Sequence, residues 1–333
     1  MTIQYFRSLI WGFLASCLIF GWAVWMQLDA PTPTSQWIYD LAVIKTKIAA
    51  QIDSPKLVVT AGSNAMIGIS CTQIQTSTRI PCVNGAINVG LGLDYILYQA
   101  RSLVREGDTL LLPLEYELYE SDPRPSSVVI DYVFAHDPEY WQQANPVLKT
   151  RFLFGLGLKR TLIGVINKLQ YDSEPDNTVR RLKSINAAGD WVRNRPIDLT
   201  AEHRRRLLLF APHKSSNLGL TNYSQQKISK FIQWCRQHQI KVIVAWPNTV
   251  KYPEYQQVEY QEFFASIKTF FQQLDVPIIG EPEEYMYDKS LFFDSTYHLN
   301  DTGVAIRTQQ LINSLTSCQT DVPASSCLAQ LSN

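Results

Sequence analysis

Five short, uninterrupted apolar runs leave this chain few folds to choose from. They are "KLVVTAG" (56–62), "IPCVNGAI" (80–87), "DTLLLPLEY" (108–116), "IKVIVAWP" (240–247) and "VPIIGE" (276–281). Runs of this length without polar alternation are strands covered on both faces. Between them lie amphipathic helices, "LDYILYQARSLVREG" (93–107), "ISKFIQWCRQHQ" (228–239) and "YQEFFASIKTFFQQLD" (260–275). Strands alternating with such helices build a parallel sheet. The expected class is therefore α/β, a flavodoxin-like three-layer sandwich with a central parallel sheet of about five strands. Pro113 demotes the far end of the third strand. Ligands in such sheets bind beyond the carboxyl ends of the strands. That rule gathers the ends of the first three strands, and the loop before the last helix, on one rim.

A second constraint stands at the N-terminus. "LIWGFLASCLIFGWAVWMQL" (9–28) carries no charge, and about 20 helical residues span a bilayer's hydrocarbon core. Arg7 before the run and Asp29 after it favour a cytoplasmic N-terminus, and Trp11, Trp22 and Trp25 suit the membrane interfaces. A cleaved signal peptide is the competing reading. Against it, the context "LDAPT" puts Leu28 three places before the cut and Pro31 just after it. An uncleaved anchor would leave the rest of the chain extracytoplasmic, periplasmic or at the cell surface. Cysteine spacing agrees: Cys71 with Cys82, and Cys318 with Cys327, could each close a short disulfide loop in an oxidising space. Cys235 reads as a buried thiol. No metal-type CxxC occurs, so a zinc site is not expected. With 30 basic and 30 acidic residues, the chain lacks the basic excess of a nucleic-acid binder.

The expected organisation is an anchor at 1–30, a proline-bearing linker with a short helix at 31–55, the α/β domain at 56–317 and a tail at 318–333. A helical insertion at about 117–225 interrupts the domain; its "RFLFGLGLKRTLIGVINKL" (151–169) has an apolar body flanked by Lys149, Arg151, Lys159 and Arg160. That insertion reads either as a helical subdomain packed on the rim or as a face against the membrane surface or a membrane partner.

Two motifs carry chemistry. In "VVTAGSNAMIGIS" Ser63 follows a small-residue turn at the end of the first strand, a position that exposes a hydroxyl at the rim. Serine there is also a common helix cap. In "FFDSTYHLNDTG" (292–303) His298 has Asp294 four places before it. Serine, histidine and carboxylate together can run acyl transfer. The second strand ends in "VNGAINVGLG", where Asn88, Gly90 and, from the first loop, Asn64 are candidate oxyanion donors. Glu115, Tyr116, Trp246 and Asn248 fall at strand ends and are candidates for the substrate cleft. His136, His203, His213 and His238 weigh less, and Glu115 with Glu117 reads as a solvated rim pair or, less readily, a glycosidase-like dyad.

These blocks resemble the SGNH (GDSL-like) hydrolase superfamily over about residues 55–316, and in architecture its membrane-anchored extracytoplasmic branch of teichoic-acid D-alanylation and alginate O-acetylation proteins. The resemblance implies Ser63 as nucleophile, His298 as base, Asp294 as orienting carboxylate and Gly90 as oxyanion donor. It implies no cofactor, a cell-surface glycan or acyl ester as substrate, and a membrane-bound O-acyltransferase as partner. Two departures stand out. The usual aspartate position, three before the histidine, holds Ser295, and the usual third-block asparagine is replaced by the neighbourhood of Glu115. They leave room for a second expectation, a catalytically degenerate glycan-binding or scaffold protein.

Overall fold

The computed structural model describes residues 2–169, 183–214 and 219–317. Seven strands occur among them: β1 Leu57–Val59, β2 Cys82–Asn84, β3 Thr109–Leu112, β4 Lys241–Ala245, β5 Thr249–Val250, β6 Ile278–Ile279 and β7 Met286–Tyr287. Five form one parallel sheet in the order β2-β1-β3-β4-β6, the doubly wound order consistent with a flavodoxin-like sandwich. Every residue of β1, β2 and β3 is buried, as the uninterrupted apolar runs require. The third strand stops at Leu112, because Pro113 has no N–H to offer the ladder. β5 and β7 form a separate parallel pair that no sequence run announced.

Register between the central strands is fixed at their amino ends by a buried ion pair. Lys56 Nζ lies 2.7 Å from Asp108 Oδ2, both side chains fully buried, and Asp108 Oδ1 also accepts from Lys56 N. Val59 then faces Asn84 on one side and Leu111 on the other. The segments that follow, Thr60–Ser63, Gly85–Gly90, Pro113–Glu115 and Trp246–Asn248, therefore all leave the sheet at its carboxyl edge.

Five helices matter for the positions described below: α1 Thr2–Trp25, α2 Pro33–Gln51, α3 Ser63–Met66, α4 Cys71–Thr78 and α5 Gly92–Leu103. The expected linker is shorter than its prolines suggested. The helix already begins at Pro33, where a missing N–H costs nothing. α1 is long and apolar enough to cross a membrane over Gln4–Trp25, with mean hydropathy 1.7 and none of it buried, consistent with a signal anchor or a single-pass span.

The chain divides into two compact units, Met1–Asp40 with Pro123–Asn177, and Leu41–Asp122 with Thr178–Asn333. The segment expected as one insertion is thus shared between them. The sheet and all the candidate site residues belong to the second unit.

Cys71 and Cys82 form a disulfide, tying the first residue of α4 to the first residue of β2. Cys318 and Cys327 lie outside the described residues. Cys235 is buried and free, and burial pushes its thiol up to about 12. The Cys71–Cys82 bridge closes a loop of sequence separation 11. Replacing both cysteines by alanine is expected to lower the unfolding free energy by about 3 kcal/mol, measured by denaturant unfolding of the oxidised protein against the double variant.

Candidate active site

Ser63 opens α3 directly after the β1 turn, as its position in the sequence predicts. The turn is held from below by Glu115. Its carboxylate is fully buried and accepts from Gly62 N (Oε2, 3.0 Å) and from Asn64 N (Oε1, 3.0 Å). Gly62 is irreplaceable in this arrangement: a Cβ there would run into Glu115 Oε1 and into Val89.

Asn64, buried beside the serine, has every polar group engaged. Its N–H donates to Glu115, its Nδ2 donates to Pro113 O at 2.9 Å, its carbonyl accepts from Arg307 at 3.0 Å, and its Oδ1 accepts from the same guanidinium at 3.1 Å. Arg307 comes from the last helix, Asp301–Ser317, and is itself fully buried. It also donates to Trp246 O at 3.2 Å and to Asn248 Oδ1. Asn248 Nδ2 in turn donates to Tyr297 O at 2.7 Å, the residue before His298. One chain of hydrogen bonds thus runs from the neighbour of Ser63 to the neighbour of His298. Burial lowers the Arg307 guanidinium to about 10, partly offset by surrounding tyrosines and Glu115, so it stays a cation at neutral pH.

His298 Nδ1 and Asp294 Oδ1 are 2.6 Å apart, with side chains 17% and 19% exposed, so solvent can still reach the pair. Burial pushes the Asp294 carboxyl up, but the His298 hydrogen bond, with the charges of His298, His203 and Arg206, outweighs it and holds it below the usual carboxylate range. The four-residue spacing works without a helical turn. Residues 292–299 form a loop pinched by an antiparallel bridge between Phe292 and Leu299 and by Phe293 N donating to His298 O at 2.8 Å. Asn300 then caps the last helix, its Oδ1 accepting from Gly303 N. No hydrogen bond joins Ser63 to His298.

The other candidates fall differently. Glu115, Tyr116, Trp246 and Asn248, expected in the cleft, are all buried at 1% exposure or less, so they support the site from beneath instead of lining it. The side chain of Asn64 is consumed by internal bonds, which removes it as an oxyanion donor. Asn88 Oδ1 accepts from Gly90 N at 2.8 Å, so these two candidates engage each other. The expected solvated pair is not found: Glu115 is fully buried and Glu117 half-buried. Glu117 is raised to about 7, first by burial and then by the charge of Glu115. His213 Nε2 pairs with Glu120 at 2.8 Å, and His203 caps its own helix through Thr200. A cavity of about 280 Å³ lies among Met66, Ile67, Asn186, Trp191, Arg195 and Ala305; neither Ser63 nor His298 borders it.

Arg307 escaped the sequence reading, although a signal existed. It sits in the helix at the spacing of buried Thr308, Leu311, Ile312 and Leu315, where an apolar residue belongs.

No family model matches the chain. No curated protein matches it in sequence. Among solved structures it is similar to a protein of Streptococcus pneumonia provisionally described as a platelet activating factor, at 12% identity and a TM-score of 0.41, covering 84% of this chain and 94% of that one. It is also similar to the YxiM protein of Bacillus subtilis, at 10% identity and a TM-score of 0.36, over 81% of this chain and 58% of that one.

Two outcomes follow from the buried charges. Arg307→Met leaves Asn64, Asn248 and Trp246 oxygens unpaired beside a buried carboxylate and is expected to cost about 3–5 kcal/mol, read by denaturant unfolding. Glu117 is raised from 4.5 to about 7 in the folded state, so the unfolded chain loses its proton first as pH rises. Its contribution is whole below pH 4.5 and is lost by the time pH passes about 7. Glu117→Gln is expected to flatten that slope and to add on the order of 2 kcal/mol at pH 8, seen in unfolding curves collected across pH.

Proposed function

We propose that this chain is an extracytoplasmic, serine-dependent acyl esterase or O-acyltransferase acting on a cell-surface polysaccharide. The Asp294–His298 hydrogen bond is the observation that carries this reading: an ionised, partly buried carboxylate on Nδ1 leaves Nε2 as the basic nitrogen. Ser63, on the turn at the carboxyl end of β1, is the residue that base would serve. In the first step Ser63 Oγ attacks the ester carbonyl while His298 Nε2 takes the hydroxyl proton. Asp294 stabilises the imidazolium that results. The Ser63 N–H receives the oxyanion, and collapse expels the alcohol, protonated by His298. Water or a sugar hydroxyl then attacks the acyl-serine, its proton passing to His298, and Ser63 is released. The apolar α1 and the Cys71–Cys82 disulfide support an oxidising compartment outside the membrane. In the transferase direction a membrane-bound O-acyltransferase supplies the acyl group.

A second reading is favoured by Glu115. Its carboxylate takes the N–H groups on both sides of Ser63, and a negative charge held there opposes an oxyanion. On that reading the chain is a degenerate SGNH-like module that binds glycan or scaffolds a membrane acylation complex.

Labelling of the detergent-solubilised full chain with an activated phosphonate separates the two. For the enzyme, label is expected on Ser63, lost in Ser63→Ala and slowed by about 10³-fold or more in His298→Ala. A folded wild type that takes no label, and gains none in Glu115→Gln, assigns the second reading.

A further inference from the structure

The first unit contains an amphipathic helix, Leu158–Leu169, whose two faces have different partners. Its polar face closes the end of α1. Lys168 Nζ donates to Leu28 O at 2.7 Å, Arg160 donates to Gln27 Oε1 at 2.6 Å and to Ala30 O at 2.9 Å, and Asn167 Nδ2 donates to Pro31 O at 2.6 Å. The carbonyls of Leu28, Ala30 and Pro31 belong to the segment that follows α1, outside its bond ladder, and need such cations and amide donors as partners. Arg160 is itself oriented by Asp131, Nε to Oδ1 at 2.6 Å. The approach is close enough that a Cβ at Gly164 would strike Gln27 Oε1. Gln27 and Ala30 are consequently buried, whereas α1 before them is bare.

The other face is left largely uncovered by the described residues. Leu158, Leu162, Ile166 and Leu169, one stripe at helical spacing, are 49–76% exposed, and Phe154 just before them is 79% exposed. Four large apolar side chains aligned in water are unfavourable by roughly 25 cal/mol for each Å² left uncovered. Continuity with α1 identifies the cover. Phe154 stacks on Phe20, within the apolar stretch, with ring centroids 6.1 Å apart. Lys168 lies 4.9 Å over the ring of Trp25, the last residue of that stretch. Lys159, exposed, borders the stripe. The stripe therefore begins beside apolar residues of α1 and runs at the level where that helix ends.

We propose that Leu158–Leu169, with Phe154, lies in the headgroup–acyl boundary of the bilayer that α1 enters, its apolar stripe in lipid and its polar face locking the end of the span. This rests on α1 being a membrane helix and is independent of the chemistry at Ser63. The helix makes the unit a two-point anchor, one element across the membrane and one along its surface.

The test uses the full chain reconstituted in phosphatidylcholine–phosphatidylglycerol vesicles at high lipid-to-protein ratio, with a genetically encoded fluorescent amino acid at position 162 or, separately, at position 14. At 162 the inference requires quenching by lipids nitroxide-labelled near the headgroup, more than by deeply labelled ones, and an iodide quenching constant at least about fivefold below that of the free fluorophore. At 14, deep labels should dominate. A residue 162 quenched by iodide and not by lipid overturns the inference while leaving the span intact. Shielding from both quenchers means that protein, such as a second copy, covers the stripe, and overturns it as well. Absence of lipid quenching at 14 removes the span and the inference together, without bearing on phosphonate labelling of Ser63.

Discussion

Everything at the rim of the sheet depends on one clamped residue, Asn64. It is gripped from one side by a buried carboxylate and from the other by a buried guanidinium, and its own amide closes the set by donating to the end of β3. Burying either charge alone would be costly; together they are near-neutral, and both carboxylate oxygens and both terminal guanidinium nitrogens are hydrogen-bonded, with Arg307 Nε alone left without a partner in the pair. Their shared grip makes the turn at Ser63 a fixed point in the second unit. Gly68 shows how tight the clamp is, since a Cβ there would collide with Asn64 O and crowd Arg307 and Asn248.

Two glutamates two positions apart illustrate how the same chemistry takes opposite solutions. Glu115 is stabilised as an anion-shaped acceptor by two backbone N–H groups aimed at it. Glu117, half-buried beside it, has burial and the charge of Glu115 outweighing the hydrogen bonds from Tyr297 and its own backbone N–H, and holds its proton to about pH 7. A neutral carboxyl next to a bonded one keeps the low-dielectric space under the site from collecting two negative charges.

The sheet was legible because burial on both faces writes itself into sequence as unbroken apolar runs, and Pro113 even marked where β3 stops. The Asp294–His298 pair was legible by proximity in the chain, and Cys71 with Cys82 likewise. What stayed hidden was depth. Trp246, Asn248, Glu115 and Tyr116 were read as rim residues because they follow strands, and polar or amphipathic side chains after strands are usually solvent-facing. Trp246 and Asn248 are tied down by Arg307, about 60 positions away in sequence, Glu115 by Gly62 and Asn64, and Tyr116 by Tyr255, Phe263 and Phe264. A single arginine in a helix stripe does not announce what it will bond. The two-residue strands β5 and β7 were too short to leave any periodicity.

The hydrogen bonds from Arg307 to Asn64 span a sequence separation of 243. A chain made from its N-terminus forms β1, β2 and β3, with the Ser63 turn between them, long before the arginine that fixes that turn exists. Closing so long a loop is slow and late, because its entropy cost must be met before the contacts that offset it form. The clamp at the rim is therefore complete only once the final helix docks. A partly synthesised chain thus carries the serine without either the clamp that sets its turn or the Asp294–His298 pair.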